Sequence, residues 1–426
     1  MEQGKLLIKH ASELVTCSGF AAKRGEAMAD IGVLADGAVA CSDGIITHVG
    51  TTAEVMAQVD EADYRVVDAR GKALLPGFVD SHTHLVFGGY REEEFAWRLR
   101  GDSYMSIMER GGGIVSTMTA TRDATPEELL ETAAERVRTF LEMGVTTVEA
   151  KSGYGLDLTT ELKQLRVMRR LDATTAAEIV PTFLGAHAVP PEYKGRADHY
   201  IDYVIKEVLP EVKREELALC CDVFCEKGVF SVAQSERLLM AARDLGMSLK
   251  LHADEMADTG GAALAARLGT LSADHLLHVS GDGIRHLAGS RTVATLLPLT
   301  AFSLREPYAR GREMIDAGCA VALATDLNPG SCFSNSIPML FALACIYMGL
   351  SPEEAVTALT LNGAAAVGRA DRIGSIDVGK QADMALLRFS SYRFLPYHVG
   401  INIVDKTIKR GIVVADHATN PRIYQS

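Results

Sequence analysis

Cysteine is scarce in this sequence, and its few cysteines form neither a disulfide framework nor an obvious metal site. There are eight in 426 residues, of which Cys220, Cys221 and Cys225 lie close together. In an extended strand, alternate side chains point to opposite faces, so Cys220 would face away from the other two. We interpret the three as buried thiols rather than metal ligands. A low cysteine content also fits a reducing cytoplasm.

An excess of positive charge and a long apolar run are also missing. Lys and Arg number 43 against 55 Asp and Glu, which gives a formal net charge of −12 and argues against a nucleic-acid partner. The longest apolar stretch, 337–350, is shorter than a membrane span and contains Pro338, so it predicts a buried helix. Residues 1–5 lack the charged-then-apolar pattern of a signal peptide. We therefore expect a soluble, cytoplasmic protein that binds no membrane.

What the sequence does contain is an alternation of strand-like and helix-like segments. With 48% hydrophobic and 23% charged residues, the composition is that of a globular protein, and the length suits one large domain and a smaller one. Helical patterns separate most of eight short apolar runs. The runs are 73–82, 145–151, 178–187, 218–226, 247–252, 270–275, 292–297 and 319–326.

Two helix starts support this alternation. Thr125 is a capping residue followed by Pro126 and early acids, and Ser231 with Gln234 has the form of a capping box. The connections are long enough for right-handed β-helix-β crossovers. Eight such units predict an α/β fold, a (β/α)₈ TIM-type barrel over residues 71–370. An open doubly wound sheet is the alternative, but no dinucleotide-binding fingerprint follows any of the runs.

The two ends of the chain have a different pattern. Residues 1–70 and 371–426 contain short β-rich pieces, separated in the N-terminal part by glycines and Asp-Gly turns. Neither end has enough strands for a core of its own, so we expect the two to form one small composite β-sandwich beside the barrel. The predicted strands are 5–9, 37–41, 45–49, 64–67, 385–389, 401–404 and 411–415.

The most informative motif is His82-Thr83-His84, which follows the first barrel run. In a strand, side chains two apart point to the same side, so His82 and His84 can present two imidazoles to one metal ion. Two unrelated polar residues in a turn are the alternative, because short motifs match by chance.

Histidines and aspartates recur where the predicted strands end. In barrel enzymes the active site lies at the C-terminal ends of the strands, so these side chains are expected to meet. Three neutral nitrogens, from His82, His84 and His252, and one carboxylate oxygen, from Asp326, suit zinc or ferrous iron with room for a water. The strand ends carry His82 and His84, His187, His252, His275 and Asp326.

A water held at such a site still needs a base, and the leaving nitrogen needs a proton. Glu255 lies three residues past His252, and His275 ends the next run, so both are candidates. The alternative for Glu255 is an acid that caps the following helix.

The ordered set of ligands resembles that of the amidohydrolase superfamily, and the finer motifs resemble its imidazolonepropionase family. The resemblance covers essentially the whole chain, and the segments 374–376 and 379–383 look like the superfamily's usual C-terminal sandwich segment. The motifs that carry it are His-Thr-His-Leu-Val-Phe-Gly-Gly-Tyr-Arg at 82–91, Gly-Gly-Gly-Ile at 111–114, Lys-Ser-Gly-Tyr-Gly at 151–155, Leu-Gly-Ala-His-Ala at 184–188, His-Ala-Asp-Glu at 252–255 and Asp-Leu-Asn-Pro-Gly-Ser at 326–331.

The resemblance implies hydrolysis of 4-imidazolone-5-propanoate to N-formimino-L-glutamate in histidine degradation, by a homodimer with one Zn²⁺ or Fe ion per chain. The implied metal ligands are His82, His84, His252 and Asp326, and the implied catalytic residues are Glu255, His275 and Asp326. The implied substrate contacts are Arg91, Tyr104, Tyr154, His187, Glu255, Asn328, Gly330 and Ser331.

The chemistry of several of these residues suits a small cyclic amide that bears a carboxylate. Arg91 can bind a carboxylate with two hydrogen bonds, and Tyr104 and Tyr154 can hydrogen-bond the ligand and pack on a flat ring. A solvated arginine and ordinary rim aromatics are the alternatives. The glycine run 111–113 lacks the Gly-Lys-Ser/Thr of a phosphate loop, so it predicts a mobile lid or a tight backbone turn.

Two further questions concern the metal count and the substrate. Two-metal amidohydrolases often carry a carboxylated lysine at the end of the fourth strand, but strand alternation turns Lys227 away from Glu226, which favours one metal. A deaminase of a purine, pyrimidine or triazine would share the metal set, although Arg91 and the Tyr154 loop favour an anionic substrate. A non-catalytic relative would have lost ligands that are all present in this sequence.

Overall fold

The computed structural model describes residues 4–102, 106, 110 and 112–417. Tyr104 and Gly111 lie outside the described residues, so the substrate contact of Tyr104 and the lid expected at 111–113 stay predictions. In chain order the described strands are β1 (Leu6–Val15), β2 (Val33–Ser42), β3 (Ile45–Thr51), β4 (Arg65–Asp68), β5 (Ala73–Pro76), β6 (Phe78–Asp80), β7 (Val145–Lys151), β8 (Glu178–Ala186), β9 (Cys220–Cys225), β10 (Ser248–Ala253), β11 (Ser272–His275), β12 (Val293–Leu296), β13 (Ala320–Leu323), β14 (Met384–Leu387), β15 (Val404–Lys409) and β16 (Ile412–Asp416).

Most helices lie between the strands from β6 to β13. The two predicted starts are confirmed, because Thr125 with Glu128 and Ser231 with Gln234 form reciprocal capping boxes. The described α-helices are α1 (Thr52–Met56), α2 (Glu92–Leu99), α3 (Ile114–Asp123), α4 (Pro126–Glu142), α5 (Leu158–Thr174), α6 (Ala197–Tyr203), α7 (Leu209–Arg214), α8 (Val232–Asp244), α9 (Gly261–Leu268), α10 (Gly281–Ala288), α11 (Pro298–Leu304), α12 (Gly311–Asp316), α13 (Ile337–Tyr347), α14 (Pro352–Leu359), α15 (Leu361–Ala366) and α16 (Phe394–Tyr397).

Strands β6 to β13 form a parallel barrel. They are hydrogen-bonded side by side in chain order, and every pairing in the sheet is parallel. The ends of the first and last strands meet, since Thr83 and Leu327 form a parallel bridge and the His84 N–H donates to the Leu327 carbonyl at 2.8 Å. The predicted (β/α)₈ barrel is confirmed, and its C-terminal rim brings the strand ends together.

The chain ends combine in a second, mixed sheet, as expected. Its order is β16-β15-β14-β5-β1-β2-β3, with β4 paired to β1, so strands from both ends share one sheet. A separate apolar cluster stabilises it, since burying apolar side chains removes them from water. Members of that cluster from both ends are Leu6, Ile8, Leu14, Val39, Ile376, Met384, Leu386 and Ile408.

The run 73–82 is two strands rather than one. Ala73–Pro76 pairs with β1 and β14 in the mixed sheet, whereas Phe78–Asp80 begins the barrel. Gly77 joins them where the chain is crowded, because a Cβ at this position would lie 2.5 Å from the Thr146 hydroxyl oxygen. Both strands are fully buried, so the apolar pattern continues across the change of sheet.

The strand predicted at 401–404 is wrong in position, because the strand runs over Val404–Lys409. Its polar residues do not match the apolar pattern of a strand. In the structure, two of these polar residues form ion pairs. Lys72 donates to Asp405 at 2.7 Å, and Lys409 donates to Asp383 at 2.7 Å. A pattern of apolar residues cannot reveal ion pairs between distant segments.

The apolar stretch near residue 340 forms a buried helix, as predicted, over Ile337–Tyr347 with Pro338 in its first turn. Within the described part of the chain, no helix combines the length and the apolar character that spanning a bilayer needs. The cysteines Cys220, Cys221 and Cys225 are buried thiols, as interpreted.

Candidate active site

The predicted strand-end residues converge at one rim of the barrel. Three overlapping groups have potential ligand atoms within 4.8 Å of one another: His82, His252 and His275; His84, His187 and His252; and His82, His84 and Asp326. The imidazole centroids of His82 and His252 are 4.5 Å apart. Distant segments of the sequence therefore supply a single cluster.

Three of the candidate metal-binding atoms of this cluster are buried and lack protein partners. Oδ1 of Asp326 lies 3.5 Å from Nε2 of His82 and 3.7 Å from Nε2 of His84. Among the described residues, neither that oxygen nor the Nε2 atoms of His82 and His252 have a hydrogen-bond partner. Burying polar atoms without partners is unfavourable, so this set fits a bound cation. Three nitrogens and one oxygen also match the ligand chemistry expected from the sequence.

Burial keeps four of the histidines in the form that binds metals. It lowers the pKa of His82, His84 and His275 well below the usual value, and that of His187 to about 3. Neutral imidazoles bind a metal without first losing a proton. Burial also raises the pKa of Asp326 to about 6, although a hydrogen bond from Thr300 opposes the rise.

Two carboxylates orient two of the imidazoles. Oδ2 of Asp274 lies 2.7 Å from Nδ1 of His82, and Oδ2 of Asp222 lies 2.9 Å from Nδ1 of His252. A proton on Nδ1 that faces a carboxylate leaves Nε2 as the free lone pair, so each ring presents Nε2 to the cluster. On the other side, the Thr300 hydroxyl donates to Oδ2 of Asp326 at 2.7 Å.

The backbone turns sharply where the site residues leave their strands. Asp254, His275 and Asp326 have φ angles of 52°, 80° and 53°, a left-handed region that is unusual for residues other than glycine. Such conformations persist where the surrounding structure holds them, and they are typical of functional sites. Two of these turns, at His275 and Asp326, carry side chains that belong to the cluster at the barrel mouth.

Glu255 faces the cluster and does not cap a helix, so the capping alternative is wrong. The neighbouring Asp254 takes that role by accepting from the backbone N–H groups of Gly261 and Ala262 at 3.1 and 3.0 Å. Oε1 of Glu255 lies 3.6 Å from Nδ1 of His275. Burial, with a smaller effect of Asp326, raises the pKa of Glu255 to about 8, which places its proton exchange near neutral pH.

The Lys-Ser-Gly-Tyr-Gly segment contributes one wall. The rings of Tyr154 and His187 are 5.2 Å apart, and His187 stacks on His84 at 4.8 Å. The His187 Nδ1 lies 3.1 Å from the carbonyl oxygen of Gly153. A flat ligand that enters beside His84 therefore meets an aromatic and imidazole surface.

Glu161 holds this segment in place. Its carboxylate accepts from the backbone N–H groups of Gly153, Gly155 and Leu156 at 2.8 to 3.1 Å. Replacing Glu161 with Ala leaves buried donors unpaired, so we expect the free energy of unfolding to fall by about 3 kcal/mol or more. Denaturant unfolding measures this, with Glu131→Ala on an exposed helix face as the control. Equal stability of the two variants would contradict this role.

Arg91 is oriented by an acid, Glu94. Its Nε and Nη2 donate to Oε2 of Glu94 at 2.9 and 2.7 Å, and Oε1 of Glu94 accepts from the Gly113 N–H at 3.1 Å. A Cβ at Gly330 would collide with the Arg91 guanidinium, so a side chain at this position would push the guanidinium out of its place. Asn328 shapes the loop by accepting from the N–H groups of Gly330 and Ser331, both at 2.8 Å.

A family model described as "Amidohydrolase family" matches residues 73–414 of this chain. The chain belongs to the amidohydrolase family. It is 65% identical to the imidazolonepropionase of Parabacteroides distasonis over 411 residues, which cover 96% of this chain and 99% of the relative. It is 56% identical to the imidazolonepropionase of Clostridium tetani over 414 residues, 97% of this chain and 99% of the relative.

Solved structures share the amidohydrolase fold at low sequence identity. A zinc-bound adenosine deaminase from Xanthomonas campestris has a TM-score of 0.71 at 22% identity, covering 97% of this chain and 93% of that one. Escherichia coli guanine deaminase has a TM-score of 0.71 at 16% identity, covering 97% of this chain and all of that one. At these identities the likeness establishes the fold alone. Amidohydrolases depend on metal ions, and the histidine-rich cluster of this member is a candidate metal site.

Sequence reasoning missed several residues that support the amidohydrolase site. Asp222 and Asp274 orient the histidines, Lys151 lies between these two acids, and Glu94 holds Arg91. Lys151, Asp222 and Asp274 sit within strands whose apolar neighbours do not reveal their partners, and Glu94 is one of three consecutive glutamates that start a helix. A charged residue within an apolar strand segment was the one signal that the sequence offered, since Lys and Asp are almost never fully buried unless they are paired.

Proposed function

We propose that this chain is an imidazolonepropionase, which opens the ring of 4-imidazolone-5-propanoate by hydrolysis to give N-formimino-L-glutamate in histidine degradation. The observation that carries the proposal is the near-complete match to relatives of that name at 56 to 65% identity. The cluster at the barrel mouth supports the chemistry, because it combines metal-binding groups with a buried acid, Glu255. Arg91 adds a cation beside the loop that follows Asp326, since its guanidinium approaches Gly330.

The proposed cofactor is one Zn²⁺ or Fe ion, held by His82, His84, His252 and Asp326. The unpaired donor atoms in this set fit such a cation. Lys227 at the end of the fourth barrel strand is exposed, which supports a single ion rather than a bridged pair. When bound, the ion would lower the pKa of water and polarise a carbonyl oxygen.

Glu255 is the proposed base. Its Oε1 accepts a proton from the water that attacks the carbonyl carbon of the ring, and a pKa raised to about 8 makes it a stronger base than an ordinary carboxylate. His275, whose Nδ1 lies 3.6 Å from Glu255, orients the water and donates a hydrogen bond to the oxygen on which negative charge develops. The proton taken up by Glu255 then passes through Asp326 to the ring nitrogen as the C–N bond breaks, so the proton lost by the water is the one that the leaving nitrogen gains.

The proposed substrate contacts surround this centre. Arg91 has five N–H donors, of which Nε and Nη2 each use one on Glu94, so three remain for the substrate carboxylate. Tyr154 and His187 would pack on the ring and hydrogen-bond to it. The remaining proposed contacts are Tyr104, Glu255, Asn328, Gly330 and Ser331.

Replacing Arg91 with Lys tests the carboxylate contact. We expect KM to rise by about 10- to 100-fold with a smaller change in kcat, because an ammonium lacks the two-pronged geometry and a charged hydrogen bond is worth about 1.5–3 kcal/mol. Steady-state kinetics measures the change. Arg166→Lys is the control, because Arg166 is an exposed arginine whose Nε and Nη2 donate to Glu215. An Arg91→Lys enzyme with an unchanged KM would remove Arg91 from the substrate site.

A direct assay separates this function from that of other amidohydrolases. We expect the purified protein to hydrolyse imidazolone propionate and not to deaminate guanine or cytosine. The loss of the substrate's ultraviolet absorbance measures the hydrolysis. Deamination of either base without ring opening would contradict the proposal and favour a nucleobase deaminase.

The assembly and location follow from the same proposal. We propose a cytoplasmic homodimer with a small-molecule substrate and no nucleic-acid partner, in keeping with the net charge of −12. The proposed domains are the barrel over 71–370 and the composite β-sandwich from 1–70 and 371–426. Size-exclusion chromatography with light scattering should give twice the mass of one chain, and a single-chain mass would contradict the dimer.

A further inference from the structure

Beneath the histidine cluster, a linked group of five charged side chains in the described barrel interior has no measurable solvent exposure. Full burial of so many charges inside one barrel is costly unless each has a partner. None of the five is among the proposed ligands or catalytic groups, so their role is not explained by the reaction. They are Glu149, Lys151, Asp222, Lys250 and Asp274.

Lys151 is at the centre of this group. Its Nζ donates to Oε1 of Glu149 and Oδ2 of Asp222, both at 2.8 Å, and lies 3.5 Å from Oδ2 of Asp274. An ammonium has three donors and no acceptor, so three carboxylates match its capacity. Lys151 also opens the Lys-Ser-Gly-Tyr-Gly motif, whose tyrosine lines the site.

The same carboxylate oxygens that meet Lys151 also meet two proposed metal ligands. Oδ2 of Asp222 lies 2.9 Å from Nδ1 of His252, and Oδ2 of Asp274 lies 2.7 Å from Nδ1 of His82. Oδ1 of Asp222 additionally accepts from the His252 backbone N–H at 3.1 Å. One ammonium is therefore linked through two carboxylates to two imidazoles that come from β10 and from the end of β6.

We propose that Lys151 is a positioning residue for the metal centre, whose ammonium holds Asp222 and Asp274 where they aim Nε2 of His252 and His82 at the metal. This inference rests on the metal ligands assigned under the proposed function. Two carboxylates of like charge repel each other, and a shared cation between them removes that repulsion. Partners of metal-bound histidines typically contribute 10- to 100-fold to metal affinity.

The second buried lysine of the group makes different contacts. Nζ of Lys250 donates to the carbonyl oxygens of Ser81 and Ala366 at 3.0 and 3.2 Å. It lies 3.8 Å from both Glu149 and Asp274, beyond hydrogen-bond distance. Of the two, only Lys151 bonds directly to a carboxylate that touches a histidine ligand.

Lys151→Met tests the proposal, because methionine keeps a long side chain without the charge. Lys380→Met is the matched control: Lys380 is equally buried and donates to Ala370, Ile373 and Ser375, outside this carboxylate group. Metal-free proteins are titrated with Zn²⁺ against a chromogenic chelator, and the visible spectrum of the Co²⁺-substituted protein reports ligand geometry. We expect Lys151→Met to bind Zn²⁺ about 10- to 100-fold more weakly, with an altered Co²⁺ spectrum.

The control should keep the wild-type Zn²⁺ affinity even where its thermal stability falls. Wild-type affinity and an unchanged Co²⁺ spectrum in Lys151→Met would overturn the proposal. If Lys151→Met does not fold, Lys151→Gln decides, because glutamine removes the charge but keeps an N–H donor: weaker Zn²⁺ binding supports the linked arrangement, and wild-type binding overturns it.

These readouts separate the two proposals. A wild-type protein that binds Zn²⁺ without hydrolysing imidazolone propionate would refute the proposed function, while the affinity comparison would still decide the role of Lys151. A wild-type protein that binds no Zn²⁺, Co²⁺ or Fe²⁺ would overturn both.

Discussion

Replacing Glu255 with Gln should lower kcat for imidazolone propionate by about 10²- to 10⁴-fold while metal stays bound. Glutamine keeps the volume and one oxygen but cannot accept the proton of the attacking water, and general bases typically contribute this much. Glu255 is placed for the task, since Asp254 takes the helix contacts and Glu255 faces His275 at 3.6 Å. Steady-state kinetics and metal analysis of the same preparation measure the two parts of the prediction.

Glu226→Gln is the control for this experiment. Glu226 is an acid close to Glu255, but its oxygens accept from the backbone N–H groups of Lys227 and Met256 at 2.7 and 2.9 Å. Because glutamine can still accept one of these bonds, we expect less than about a tenfold loss of turnover. Unchanged turnover in Glu255→Gln, or equal losses in the two variants, would remove Glu255 from the role of base.

Removing the metal should abolish turnover and lower stability together. Nε2 of His82, Nε2 of His252 and Oδ1 of Asp326 are buried and have no hydrogen-bond partner among the described residues. Without the metal, these polar atoms stay buried and unpaired at the barrel mouth, which lowers the stability of the folded protein. Binding to the folded state alone stabilises by about 4 kcal/mol when the metal is at 1,000 times its dissociation constant. The midpoint temperature of thermal unfolding and the activity should both return to their original values when one equivalent of Zn²⁺ or Fe²⁺ is added.

A pair of histidine variants controls for nonspecific effects of the chelator. His82→Ala should lose activity that added metal does not restore. His286→Ala should behave as wild type, because His286 is exposed on a helix and hydrogen-bonds only locally to the Asp282 carbonyl oxygen. Full activity in the chelator-treated protein would contradict a metal-dependent reaction.

Much of the fold could be predicted because its signals are local. Eight apolar runs with helix starts such as Thr125 and Ser231 between them were enough to indicate the barrel, and both capping boxes form. The errors occur where structure depends on distant partners. Gly77 divides one apolar run between two sheets, and the polar strand Val404–Lys409 is stabilised by ion pairs with Lys72 and Asp383.

Some residues of the candidate site could be predicted from the sequence, and others could not. His82, His84 and Asp326 were predictable because the end of a barrel strand has a known location, whatever its neighbours are. Asp222, Asp274 and Lys151 were not, because their meeting depends on how three strands are aligned side by side. Strand alternation indicates that a side chain points inward, but it does not indicate which charge lies across the barrel.

Anomalous X-ray diffraction from crystals of the metal-loaded protein, measured at the zinc and iron absorption edges, shows whether one ion lies among the four proposed ligands. We expect one peak per chain, within about 2.0–2.2 Å of donor atoms from His82, His84, His252 and Asp326. Two peaks at the barrel mouth, or a single peak beyond bonding reach of these four side chains, would contradict the proposed metal site.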